Sequence, residues 1–396
     1  MCVMLASGVA TSQTVPVQGS NDQLNLGGIF ADQTLNVVTA DEGVTATTTA
    51  GGNTFGATTV NADAGLTSNQ VNQGAIGAHG VVNVSGSMGD SSTVTTTAVG
   101  NSGTATAAYG TLSGFMVQTN SGAVTARGQI EGETAQAGDV IETSSAAGNS
   151  QGLLMVNGAM GARVSQNNQA DVAADGGAVL QYVAGTAVVA GTAAGNNIDL
   201  TGANQSAARV ITDQNNGAAN VTATKFAAYG NSYLTTTAAT ASGNNLNASN
   251  DGTLLDVASH QYNTAYVRAQ AEETSYQFGG AQATAYGVGN SAMASNSNGP
   301  GLVLDNVQVN DGGGVEVIAS FDGHDGYDAG ASATAIGNAV SGYACNLCSG
   351  TMTATNSQSN NVDVSARSTV TVRSSGRAVV GVSTATGNNA TFSVTN

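Results

Sequence analysis

Alternation with a period of two runs along the chain. Val94, Thr96 and Ala98 alternate with Thr95, Thr97 and Val99, and Val370-Thr371-Val372-Arg373 and Val380-Gly381-Val382-Ser383 repeat the pattern. Successive side chains on a strand face opposite ways, and Val and Thr suit a pleated surface. No stretch offers a helical apolar stripe with caps at its ends. The pattern predicts an all-β protein.

A longer period lies over the short one. Phrases of small residues ending in Gly-Asn recur at Gly52, Gly100, Gly148, Gly195, Gly243, Gly289, Gly337 and Gly387. The spacings are 48, 48, 47, 48, 46, 48 and 50 residues. One extra copy, Gly230-Asn231, breaks the rule. A second landmark falls about half-way: Val124-Thr125-Ala126, Val172-Ala173-Ala174, Val221-Thr222-Ala223, Val267-Arg268-Ala269, Val315-Glu316-Val317 and Val362-Asp363-Val364. Most of these follow an Asn/Gln/Asp cluster, such as Asn167-Asn168-Gln169.

Repeats that cannot bury their own face must stack. The expected fold is therefore a β-solenoid of about eight 48-residue units, each of two roughly 24-residue halves. If each half is one coil, some sixteen coils make a rod of about 75–80 Å. An irregular β-sandwich array is the competing fold. The eight glycines are read as structural turns, because Gly and Asn tolerate the positive φ of a tight corner. Asn and Gln at equivalent places would form ladders up the stack. Residues 44–396 form the solenoid in this reading, and 11–43 are its leading strands or an N-terminal cap.

Composition narrows the picture. Of 396 residues, 54 are Gly, 2 are Pro and none is Trp, and charged residues are 8% against about 25% in ordinary domains. The interior must be thin and lined by small side chains. The net charge is −17, which argues against nucleic acid and anionic lipid as partners. Met1 to Ala10 is apolar and ends in small residues, like the tail of a secretory signal. In an exported protein, Cys345 and Cys348 would close a local disulfide, with free thiols as the alternative; a second Cys pair for zinc is missing.

Candidate chemistry is sparse. Asp322-Gly323-His324-Asp325-Gly326-Tyr327-Asp328 reads as a solvated acidic loop, with calcium binding as the alternative. His79 and His260 have no such company. Glu272-Glu273 is a carboxylate pair whose bland reading is a solvated face. Tyr109, Tyr229 and Tyr286 each occur as Ala-Tyr-Gly, either as sugar-stacking platforms or as packing at coil edges. No catalytic residues, cofactor or metal are assigned.

Gln33-Thr34-Leu35-Asn36-Val37, Val44-Thr45-Ala46-Thr47-Thr48-Thr49-Ala50 and the recurring T-A-x-G-N phrases resemble the holdfast-anchoring D protein family of stalked alphaproteobacteria. The resemblance implies a non-enzymatic protein at the cell surface, associated with the outer membrane, that tethers the adhesive holdfast polysaccharide. It also implies two partners, a curli-pore-like secretion lipoprotein and an amyloid-like anchor protein. Two other readings compete. One is a self-associating, curli-like fibre subunit, suggested by the Asn/Gln clusters. The other is a β-helical carbohydrate-active enzyme, which would need acids gathered on one face of the stack.

Overall fold

The computed structural model describes residues 17–299, 301–344 and 350–394. The stretch read as a signal remnant, and Cys345 and Cys348, lie outside these residues. Every described strand pairs in parallel with the strand one repeat away. Coil 1 contains β1 (Val17–Asn25), β2 (Ile29–Thr39) and β3 (Thr45–Val60). Coil 2 contains β4 (Ala64–Asn72), β5 (Ile76–Ser87) and β6 (Ser91–Ala108), and coil 3 contains β7 (Thr111–Asn120), β8 (Val124–Ala137) and β9 (Asp139–Val156). The other coils have two strands each: β10 (Ala159–Asn168) with β11 (Val172–Ala203), β12 (Ala207–Asn216) with β13 (Asn220–Asn250), β14 (Leu254–Asn263) with β15 (Tyr266–Asn296), β16 (Gly301–Asn310) with β17 (Gly314–Ala344), and β18 (Thr351–Asn360) with β19 (Val364–Val394).

The register fixes the coil. Asn53 pairs with Asn101, Asn101 with Asn149, and Asn149 with Asn196. One 48-residue unit is thus one coil, and the described residues of the β-solenoid form eight coils rather than sixteen. At about 4.8 Å per coil the stack is on the order of 35 Å tall, half the expected rod. The two halves of a unit are two lobes of the same coil, each with its own part of the core. Interior Ile76 and Ala78 of β5 share a cluster with Ala98 of β6, and Val82 and Val84 share one with Val94. Leu66 of β4 meets Ala105 and Ala107. β6 therefore runs back over β5 and then over β4. In coils 4–8 the return is absorbed into one strand of 31 or 32 residues.

The half-way valines are the first interior positions of the long strands. Val124, Val172, Val221, Val267, Val315 and Val364 stack in one column. In coil 8 the column takes Val364 and not Val362. The leading segment contributes β1 and β2, which pair in register with β4 and β5.

Three amide rows brace the stack. One runs from Asn25 to Asn360 at the ends of the short strands, each amide N–H donating to the next coil's Oδ1 at 2.7–2.9 Å. A second runs from Asn53 to Asn388 through the Gly-Asn asparagines, each step 2.8 Å. The third runs from Gln23 to Gln358 at 2.7–2.9 Å, with donors pointing the opposite way. In the first row the other amide proton goes to the carbonyl two residues on, as from Asn120 to Gly122 at 2.9 Å; in the second and third rows it crosses the coil. Gln118 donates to the Ser150 carbonyl at 2.9 Å and Asn101 to the Thr119 carbonyl at 2.8 Å. Buried amides are tolerable only when paired in this way.

Candidate functional site

The eight Gly-Asn glycines lie inside strands, and none has a left-handed φ. Left-handed glycine is used elsewhere, at Gly89 (φ 80°) between β5 and β6. The reason for glycine in the Gly-Asn phrases is close approach. At Gly100 a Cβ would lie 2.5 Å from Asn120 Oδ1 and 2.5 Å from the Gly148 carbonyl oxygen. Gly100 and Asn101 are both buried, so the strict alternation slips by one there. The phrase thus serves the interior. The extra copy is different: Asn231 pairs with Tyr182 at the outer corner.

That corner, where the long strand turns from one face to the other, is the best-equipped exterior feature. Tyr182, Tyr233, Tyr276 and Tyr327 project from coils 4 to 7 and are 44%, 67%, 56% and 63% exposed. Tyr182, Tyr233 and Tyr327 line a groove with Asn231, Gln277 and Asp325. A neighbouring groove is lined by Tyr276, His324 and Arg373. The Tyr276 and His324 rings stack, with centroids 4.5 Å apart and 20° between planes. Arg373 Nη1 donates to His324 Nε2 at 2.7 Å, and His324 Nδ1–H donates to Asp325 Oδ2 at 2.8 Å. Both bonds are satisfied by a neutral imidazole with its proton on Nδ1.

Local sequence explains the projection. Phe278 and Phe321 fill the corner from inside, edge to face, with centroids 5.0 Å apart. Gly326 makes room, since a Cβ there would meet Phe278 Cζ at 2.5 Å. Register shifts between Val183 and Thr186 and between Gly326 and Asp328 push the intervening residues outward. Flat aromatic faces beside amide, carboxylate and guanidinium groups suit sugar rings.

The acidic stretch Asp322–Asp328 lies within β17 and is not a loop. Asp325 is held by His324, and Asp328 accepts from Arg377 Nε at 2.9 Å. Among the described residues, no three His, Cys, Asp or Glu side chains gather as metal ligands would. Glu272 and Glu273 point to opposite sides: Glu272 accepts from Gln270 outside, while Glu273 is buried against Thr235 and Thr237. A pair so divided cannot address one substrate. The Ala-Tyr-Gly tyrosines do not form a platform, because Tyr109 is exposed, Tyr229 buried and Tyr286 half-buried.

Gln-x-Asn, as in Gln118-Thr119-Asn120 and Gln166-Asn167-Asn168, recurs once per coil and carries two amide rows. The corner tyrosines carry no fixed period that a repeat search could find.

Comparison with known proteins agrees with the resemblance read from Gln33–Val37 and Val44–Ala50. The family model described as holdfast attachment protein D matches residues 38–314. Holdfast attachment protein D of Caulobacter vibrioides is 58% identical over 67 residues, 17% of this chain and 22% of that relative. The match thus spans about a fifth of the relative's length. No solved structure matches. With the family model covering more than half of its length, this chain belongs to the holdfast attachment protein D family.

Proposed function

We propose that this protein is a non-enzymatic cell-surface tether that holds the adhesive holdfast polysaccharide to the cell envelope. The observation that carries the reading is the edge of exposed tyrosines on coils 4 to 7, fixed on a stack braced by three amide rows. Stacking on aromatic faces binds neutral sugar rings without positive charge, which an acidic chain lacks. The protein works outside the cell in association with the outer membrane. Its partners there are the polysaccharide, an amyloid-like anchor protein and a secretion lipoprotein. The test is deletion followed by a surface-shedding assay. Cells that keep their adhesive firmly attached without the protein would sink the proposal.

A second reading has its own support. Both Asn rows donate from coil 1 toward coil 8, and the Gln row donates the other way. One end of the stack therefore finishes in Asn acceptors and a Gln donor, and the other in the reverse set. Among the described residues, β1 and β18 are edges of the eight-stranded sheet, as β2 and β19 are of the other. Two copies meeting head to tail would continue every row, giving a self-assembling fibre. Thioflavin-positive fibres from the purified protein alone support it, and a monodisperse eight-coil particle at all concentrations counts against it.

A further inference from the structure

The chain contains one lysine, Lys225, and it is sealed inside the stack. Its side chain and that of Glu142 are both 0% exposed. Lys225 belongs to coil 5 and Glu142 to coil 3. The lysine passes the intervening coil at Gly191, where a Cβ would lie 2.7 Å from Lys225 Cε. Nζ ends 2.9 Å from each carboxylate oxygen of Glu142. It also reaches Ser144 Oγ at 2.8 Å and the Asp175 carbonyl oxygen at 3.0 Å. Ser144 Oγ donates to Glu142 Oε1 at 2.8 Å.

The coils do not need these two residues in order to form. The position of Lys225 is Ala271 in coil 6 and Ala319 in coil 7. The position of Glu142 is Val94 in coil 2 and Val189 in coil 4. A bare ion pair recovers its desolvation cost poorly in a dry interior, and small apolar groups serve as well. Burial pushes the Glu142 carboxyl up and the Lys225 ammonium down, against their mutual attraction. Proton transfer within the pair yields a free amine in contact with a protonated acid.

We infer that Lys225 Nζ and Glu142 Cδ become joined by an intramolecular amide bond that ties coil 3 to coil 5. The amine lone pair attacks Cδ, the nitrogen gives up one proton, and the carboxyl hydroxyl leaves with it as water. Ser144 Oγ, within hydrogen-bond reach of both partners, carries that proton. Nothing is oxidised or reduced, and no co-reactant is needed. The fold supplies the positioning that makes condensation fast within one molecule. Exclusion of water from the pocket disfavours the reverse hydrolysis.

Peptide mass spectrometry on the purified, fully denatured wild-type protein tests this. After cleavage at aromatic and leucine residues, the peptides carrying Glu142 and Lys225 are expected as one species, lighter than their sum by one water. A lysine-specific protease should leave the chain uncut at Lys225. Lys225→Met should yield the separate Glu142 peptide at its sequence mass. Free Lys225 and Glu142 peptides from the wild-type protein, with cleavage at Lys225, would overturn the inference. The wild-type measurement decides by itself, even if the variant fails to fold.

Discussion

Gly100 and Asn120 are packed so closely that one added carbon at Gly100 would collide with the Asn120 amide, 2.5 Å away. The Gly-Asn phrase is therefore a clearance fit beside an amide row. Gly100→Ala should displace Asn120 and break its row, costing about 2–4 kcal/mol. Gly387 offers the contrast: on β19, the edge strand among the described residues, its nearest neighbour would be Asn360 Nδ2 at 3.7 Å. Gly387→Ala should change stability by less than about 0.5 kcal/mol. Urea unfolding of both variants checks this, and equal losses would mean that clearance is not the cause.

Removing one rung should be costly in the middle of a row. Asn149 accepts from Asn101 and donates to Asn196, both at 2.8 Å. Asn149→Ala removes both bonds and strands two buried partners, a loss of about 2–4 kcal/mol. Asn215, exposed on the outer face, should tolerate Ala within about 0.5 kcal/mol. The difference between the two unfolding midpoints is the readout.

Stability should fall as pH rises from about 4.5 to about 7. Burial pushes Glu273 up to about 7, against donation from Thr235 and Thr237, which pulls the other way. The folded protein then holds a proton that the unfolded chain releases near 4.5. That stability is fully present below 4.5 and lost as pH rises to about 7, on the order of 3 kcal/mol in all. Glu273→Gln keeps the hydrogen-bonding shape without the titration. The gap between variant and wild type should open between pH 5 and pH 8; parallel curves would remove Glu273 as the cause.

The outer tyrosines should matter to binding and not to folding. Tyr233→Ala and Tyr327→Ala should each weaken polysaccharide binding about fivefold, the equivalent of roughly 1 kcal/mol per stacked ring. Melting temperatures should stay where they are. Tyr109 is equally exposed but remote from the groove, and Tyr109→Ala should bind normally. Equal weakening by all three would point to a diffuse surface effect.

The fold was largely legible because its period is written into small residues. Gly52 to Gly387 gave the repeat, and Val-Thr alternation gave the strands. The number of coils was not legible from those marks. Val172 looks like the start of a second coil, yet it begins the second lobe of the same one. Pairing at 24 and at 48 residues leaves the same valine alternation. Gln-x-Asn, present once per 48, distinguishes them. The outer edge was hidden for another reason. Tyr233 and Tyr327 fall at register shifts in the corner, which leave no sequence period. Lys225 and Glu142 are 83 residues apart, a separation that matches no multiple of the coil.

One coil per repeat also sets how the molecule carries load. The first and last described coils lie at opposite ends of the stack, so a pull between β1 and β19 runs along its axis. The coil at an end can then peel away while the rest stays wound. Each released coil would pay out about 160 Å of chain, 48 residues at about 3.3 Å. A stack built like this lengthens under shock in steps and rewinds at rest. A covalent tie between coils 3 and 5 would cap that extension, so force spectroscopy should show shorter total travel in wild type than in Lys225→Met.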